Sequence, residues 1–274
     1  MIRKILAVGL WMATLALVAR AGYIELKTLD WSPDGRWWLI VQRGDVYLVP
    51  TQGEEARRLT DEGNVLWARF APDGKHFYYV VEEANRAIKR GSVDGGESET
   101  VLEEEGVDFS YVVPFSDGER LLVVCDRGGQ VDLWIYGLET HELTRLTDTP
   151  WREETPDVSP DGKAIVFAAY IEGGWDIMSL RLRDSVNIDR LTQDPFFDWG
   201  PRFSPDGKWV AFESTRSGNS EIWVMARNGG KLTYITDDPW RNAFPAWSPD
   251  MERIAFGTRL DGETDWIIAT EGTY

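Results

Sequence analysis

Three short segments carry residue types that could recognise a ligand. Trp151-Arg152-Glu153, Phe196-Phe197-Asp198-Trp199 and Trp240-Arg241-Asn242 each set an aromatic ring beside a cation or a second ring, and then an acid or amide. The leading ring recurs after 45 and then 44 residues. Rings beside arginine and a carboxylate or carboxamide are what protein-recognition patches use. The same set suits a sugar, with the rings as an apolar platform and the polar groups fixing orientation. A ring repeated at one position also suits a packing wedge between repeated units. In that case Arg152, Arg241, Asp198 and Asn242 are the better markers of recognition. Trp67, in Asn64-Val-Leu-Trp67, and Tyr111 are looser counterparts earlier in the chain. The candidate binding set is Trp67, Trp151, Arg152, Glu153, Phe197, Asp198, Trp199, Trp240, Arg241 and Asn242.

Covalent and acid–base chemistry find less support. No Gly-x-Ser-x-Gly elbow is present, which argues against an α/β-hydrolase nucleophile. His76 and His141 are the two histidines; they lie in different repeats without ligand spacing. Cys125 is the single cysteine and sits in the apolar run Leu121-Leu-Val-Val-Cys125, as a small buried hydrophobe would. The Gly-Gly pairs at 95–96 and 229–230 fall in hairpin turns, not in a phosphate loop. Glu153-Glu154 and Asp237-Asp238 are paired carboxylates, and among so many acids a solvated rim explains them as well as an acid–base pair. No catalytic residue and no cofactor is expected. Calcium at a carboxylate-rich channel mouth stays open, although no Asp-x-Asp-x-Asp-Gly loop is present. The formal charge of −17 disfavours nucleic acid and anionic lipid.

The elements that position these residues follow from a repeated turn. Trp31-Ser-Pro-Asp-Gly35, Phe70-Ala-Pro-Asp-Gly74, Phe115-Ser-Asp-Gly118, Val158-Ser-Pro-Asp-Gly162, Phe203-Ser-Pro-Asp-Gly207 and Trp247-Ser-Pro-Asp250 place aspartates 39, 44, 44, 45 and 44 residues apart. A period in that range is a repeat architecture with four short strands per unit. In the fifth unit Gly200–Ser204, Lys208–Thr215, Glu221–Ala226 and Leu232–Thr236 read as four strands joined by tight turns. Apolar residues on both faces of the second and third strands fit a sheet held between two others. The expectation is an all-β, six-bladed β-propeller of four-stranded antiparallel blades. The crossovers bearing the candidate residues would then share one face, around the funnel mouth.

The ends add two expectations. Arg3 and Lys4, the uncharged run Ile5–Val18 and Ala19-Arg20-Ala21 form a secretory signal peptide over residues 1–21, leaving 22–274 as the propeller. An apolar run of 14 is short for a membrane span, although an uncleaved anchor is the alternative. Losing Arg3, Lys4 and Arg20 moves the formal charge from −17 to −20. The sixth unit ends after its third strand, and Tyr23–Thr28 reads as an orphan fourth strand that completes the last blade.

Ser-Pro-Asp-Gly, an apolar strand, the Ile222-Trp-Val-Met225 strand and Arg-Leu-Thr-Asp, in that order, resemble the TolB-type β-propeller repeat across residues 23–274. Related repeats occur in the propellers of prolyl oligopeptidase-like enzymes and some lyases. The resemblance implies a six-bladed propeller, often exported and commonly used for binding. TolB carries a further N-terminal domain, and here the repeat follows the leader directly. The functional expectation is an exported, non-catalytic, monomeric propeller, periplasmic or secreted, that binds an envelope or extracellular protein or peptide through its crossover-loop face. It would bind no nucleic acid and keep no membrane span after leader cleavage. A carbohydrate-binding or carbohydrate-active propeller is the alternative.

Overall fold

The computed structural model describes residues 26–52, 55–182, 187–259 and 266–273. Blade 1 is β1 (Leu26–Trp31), β2 (Trp37–Gln42), β3 (Asp45–Pro50) and β4 (Arg57–Arg58). Blade 2 is β5 (Val65–Phe70), β6 (His76–Glu82), β7 (Arg86–Ser92) and β8 (Glu99–Glu103). Blade 3 is β9 (Phe109–Pro114), β10 (Arg120–Cys125), β11 (Asp132–Gly137) and β12 (Leu143–Arg145). Blade 4 is β13 (Arg152–Val158), β14 (Ala164–Ile171), β15 (Gly174–Arg181) and β16 (Asn187–Arg190). Blade 5 is β17 (Asp198–Phe203), β18 (Trp209–Ser214), β19 (Glu221–Ala226) and β20 (Thr233–Tyr234). Blade 6 has, among the described residues, β21 (Arg241–Trp247), β22 (Arg253–Arg259) and β23 (Trp266–Gly272). Consecutive strands pair antiparallel within each blade. The six first strands contact one another in sequence and β1 contacts β21, so the blades form a closed six-membered ring, as expected.

The turn phrase is a hydrogen-bonded unit. In blade 1 the Ser32 hydroxyl donates to Asp34 (2.7 Å) and accepts from the Trp37 N–H (2.9 Å), while Asp34 accepts the Arg36 N–H (3.1 Å). Ser159/Asp161, Ser204/Asp206 and Ser248/Asp250 repeat the pattern. The residue after the aspartate has positive φ, a region glycine enters without penalty. Blade 6 places Met251 there at φ 64°. A left-handed conformation costs a residue with a Cβ about 1–2 kcal/mol, partly offset in a glycine by unfolded-state entropy. Met251→Gly is therefore expected to stabilise the protein by roughly 0.5–1 kcal/mol, read as a higher denaturant midpoint at unchanged slope.

Arg-x-Thr, with Tyr234 in place of the arginine in blade 5, is a second such unit. The Thr60, Thr147, Thr192 and Thr236 hydroxyls accept the N–H of Val46, Leu133, Ile177 and Ile222, each at 2.9 Å. Arg58, Arg145 and Arg190 reach Asp45, Asp132 and Asp176 near the heads of the third strands, each at 2.6 Å. The short outer strands are thereby pinned to the blades despite their exposure.

The core is divided among the blade interfaces. Each of six apolar clusters joins residues of two neighbouring blades, which is why the middle strands are apolar on both faces. The sixth cluster packs Leu29, Trp31 and Trp38 of blade 1 on Ala246, Ala255 and Ile268 of blade 6.

The expected closing strand is corrected over its described part. Leu26 pairs with Gln42 and Thr28 with Val41, so Leu26–Thr28 open the inner strand of blade 1 and do not add to blade 6. Tyr23–Glu25 and the proposed leader lie outside the described residues. Among the described residues, packing between blades 6 and 1 closes the ring. No helix there is long and apolar enough to cross a membrane.

Candidate functional site

The heads of the six inner strands enclose a cavity of about 420 Å³ at the crossover end of the ring axis. Its wall carries the rings of Trp67, Tyr111, Trp199 and Phe244, together with Arg152, Glu154 and Glu213. Trp67 and Tyr111 meet edge to face, their centroids 4.9 Å apart. The Tyr111 hydroxyl donates to Glu154 (3.1 Å), which is also paired with Arg152.

Below the cavity the axis is shut by charge. Asp30, Arg69, Asp157 and Arg202 occupy the same position, four residues before the turn aspartate, in blades 1, 2, 4 and 5. Arg69 pairs with Asp30 (3.1 Å) and Asp157 (2.6 Å). Arg202 pairs with Asp30 and approaches Asp157 at 3.8 Å. Blades 1 and 4 are opposite one another, as are 2 and 5, so these four side chains bridge the axis. Asp30 and Asp157 also accept the Phe70 and Phe203 N–H groups at 2.9 and 2.8 Å. Burial pushes Asp157 up to about 6 against the pull of Arg69. Val113 and Ala246 fill the equivalent positions of blades 3 and 6.

Backbone distortion shapes three sectors of the wall. Thr155, Gly200 and Phe244 have φ of 47°, 60° and 59°, each is followed by proline, and each falls at a break in strand register. Such bulges re-aim side chains beside sites. A β-branched residue at positive φ is a conformational outlier that its surroundings must hold. The Thr155 hydroxyl is buried without a hydrogen-bond partner, as is the Trp67 indole N–H.

Glu213 is the most unusual wall residue. It stands seven residues after the turn aspartate, where the other blades have Val41, Val80, Val124, Ala168 and Gly257. It is buried, and its Oε1 accepts the Phe244 N–H at 2.8 Å. Burial pushes its carboxyl up to about 7, against that N–H and the charge of Arg241. Gly200 lies beside it: a Cβ there would sit 3.4 Å from Oε1. Neither Glu213 nor the four-charge floor is among the residues expected from sequence. The signal was available in the repeat columns, as an acid among apolar residues and as alternating charge.

The sequence candidates separate into three groups. Trp67, Arg152 and Trp199 line the cavity. Phe197 is exposed and stacks on Trp199, which meets Trp175 edge to face at 4.3 Å; Trp175 in turn contacts the exposed Tyr170. An aromatic track therefore runs from the mouth over blades 4 and 5. Arg241 is exposed at the head of β21. The third group is structural in its contacts. Trp151 packs on the core between blades 3 and 4. Glu153 accepts from the Thr147 and Thr149 hydroxyls, the latter at 2.7 Å, and burial pushes it up to about 7. Asp198 holds Arg216 at 2.8 Å, and Asn242 donates to Glu221 (2.8 Å) and Asp238 (3.1 Å). Trp240 is half-buried, its carbonyl taken by Asn219 at 2.8 Å. Glu153, Asp198 and Asn242, expected at a binding surface, are thus turned inward to clamp the crossovers. Among the described residues no three His, Cys, Asp or Glu side chains are placed to hold a metal ion.

Comparison with known proteins agrees with this architecture. The TolB beta propeller domain model matches residues 115–272. An uncharacterized protein of Agrobacterium fabrum is 28% identical over 149 residues, 51% of this chain and 49% of that protein. The uncharacterized peptidase YuxL of Bacillus subtilis is 31% identical over 157 residues, 53% of this chain and 22% of that protein. The matched region thus spans half or less of these relatives. Among solved structures, a TolB candidate from Agrobacterium tumefaciens superposes with a TM-score of 0.71 at 23% identity, covering 92% of this chain and 91% of that one. TolB from Acinetobacter baumannii gives 0.70 at 21% identity, covering 91% and 60%. The propeller of the Trilobed protease from Pyrococcus furiosus, described as having an open velcro topology, gives 0.62 at 12% identity, covering 92% and 94%. At these identities the structures speak for the fold alone. With its repeat, ring and family match in agreement, the chain belongs to the TolB beta propeller domain family.

Proposed function

We propose that this protein is an exported, monomeric, non-catalytic propeller that binds a peptide or a segment of another protein at the crossover end of its axis. The observation that carries the reading is the continuity of the cavity with the Trp199–Phe197–Trp175–Tyr170 track. A blind, ring-lined cavity takes one anchoring side chain, and the adjoining rings offer the rigid apolar area on which interface energy concentrates. The closed floor favours a segment that enters and stops over one that threads the ring. The basic residues Arg3 and Lys4 and the uncharged apolar run Ile5–Val18, expected at the start of the chain as a leader, support export.

Panning a random-peptide display library on the immobilised protein tests this. Enriched peptides should bind in titration, and Trp199→Ala should weaken them at least tenfold. Tyr234→Ala, an exposed ring on the outer strand of blade 5, should leave them unchanged. Equal loss at both positions, or saturable binding to a glycan array without any peptide enriched, would overturn the reading.

A further inference from the structure

The repeat itself singles out Glu213. Five blades put a valine, alanine or glycine at its position, so the fold does not call for an acid there. A buried carboxylate is stabilised only when something else compensates it. The wall it shares carries four aromatic rings, the buried Thr155 hydroxyl without a partner and the buried Trp67 N–H without a partner. Glu154 is already engaged by Arg152 and the Tyr111 hydroxyl. A desolvated carboxylate among aromatic faces is the chemistry that recognises an organic cation, by ion pairing at one end and cation–π attraction around it. The alkyl stem of such a ligand has Leu26, Leu66 and Pro201 to pack on. The acidic chain as a whole draws cations towards it.

We propose that the cavity binds an alkylammonium group, held by Glu213 and surrounded by the rings of Trp67, Tyr111, Trp199 and Phe244. The ammonium is presented by the lysine side chain of a bound peptide or by a free diamine. The proposal rests on the crossover end being the recognition face and adds the class of its anchoring group.

The test is a tryptophan-fluorescence titration of the full chain at pH 8. The probes are Nα-acetyl-lysine amide, 1,5-diaminopentane and, as neutral isostere, Nα-acetyl-norleucine amide. Both amines should saturate, with the lysine derivative binding at least tenfold tighter than its isostere. Glu213→Gln keeps an acceptor for the Phe244 N–H and should remove that preference. Arg241 acts on the Glu213 carboxyl through its charge, and Arg202, Lys27, Arg152, Glu154 and Tyr111 are the charged and titratable groups that line the same cavity. Lysine and arginine side chains stay charged from pH 6 to 8, and Tyr111 is held neutral by burial. With Glu213 titrating at about 7, amine affinity should fall about tenfold between pH 8 and 6. Tighter binding of the lysine derivative than of the diamine assigns the site to peptides; the reverse assigns it to free amines. Equal binding to Glu213→Gln, a norleucine derivative as good as the lysine one, or no saturation by either amine would overturn the proposal. Peptides selected by panning that bind Glu213→Gln undiminished would sink this inference and leave the binding-module reading standing.

Discussion

Glu213→Gln is expected to melt above the parent protein at pH 8 and to lose most of that margin by pH 5. The folded carboxyl titrates at about 7, against an ordinary value of 4.5. A raised acid favours folding fully only below its unfolded value, and that contribution is lost as pH rises through the folded value. At pH 8 the native state must therefore hold a charge that the unfolded chain carries freely. The shift corresponds to a penalty on the order of 3 kcal/mol, which for a protein of this size moves the midpoint by several degrees. Glutamine removes the charge and keeps the hydrogen bond to Phe244. Chemical denaturation of both proteins at pH 5 and 8 reads the difference directly. A glutamine variant equal to or weaker than the parent at pH 8 would show that Glu213 is compensated within the fold, and its position would then need no ligand to explain it. The expected gain marks the opposite situation: an acid retained at some loss of stability, as binding sites commonly are.

The fold was legible in the sequence because its elements are local. A turn such as Ser32-Pro-Asp-Gly35 specifies its own hydrogen bonds, and an Arg-x-Thr strand such as Arg145-Leu-Thr147 specifies its own anchor on Asp132. Where the ring is sewn together was harder to read. Tyr-Ile-Glu-Leu-Lys-Thr alternates like an outer strand, yet the inner strand of blade 1 must run back from Trp31 to Leu26 to match the depth of its neighbours. The candidate site was legible in outline: the crossover ends do converge, and Trp67, Arg152 and Trp199 do line the mouth. Glu153, Asp198 and Asn242 were not separable from surface groups, because a polar residue beside an arginine or an aromatic ring has the same sequence signature whether it faces water or a buried polar partner. Their inward turn depends on where each inner strand begins, at Arg152, Asp198 and Arg241. The floor and Glu213 are both marked in the sequence. Reading each column of the repeat across blades, and not each blade along its length, isolates both.

The floor gives the other large effect. Arg69→Met should destabilise the protein by about 3–5 kcal/mol at pH 8, the usual consequence of removing one partner from a buried ionic cluster. Asp30 and Asp157 would then face one guanidinium, from Arg202, with two buried negative charges. Their carboxyls, already pushed up by burial, would rise further, so the native state would bind a proton that the unfolded chain releases. By linkage the loss should shrink towards pH 5, where one carboxyl can be protonated in both proteins. Arg69→Met combined with Asp157→Asn leaves the Asp30–Arg202 pair balanced and keeps an acceptor for the Phe203 N–H, so it should recover most of the stability lost by the single change. Because the four groups span blades 1, 2, 4 and 5, the single variant should lower the one cooperative transition of the whole ring. A separate early transition, or a double variant no better than Arg69→Met, would mean that the charges serve the axis locally and that the six apolar interfaces hold the ring without them.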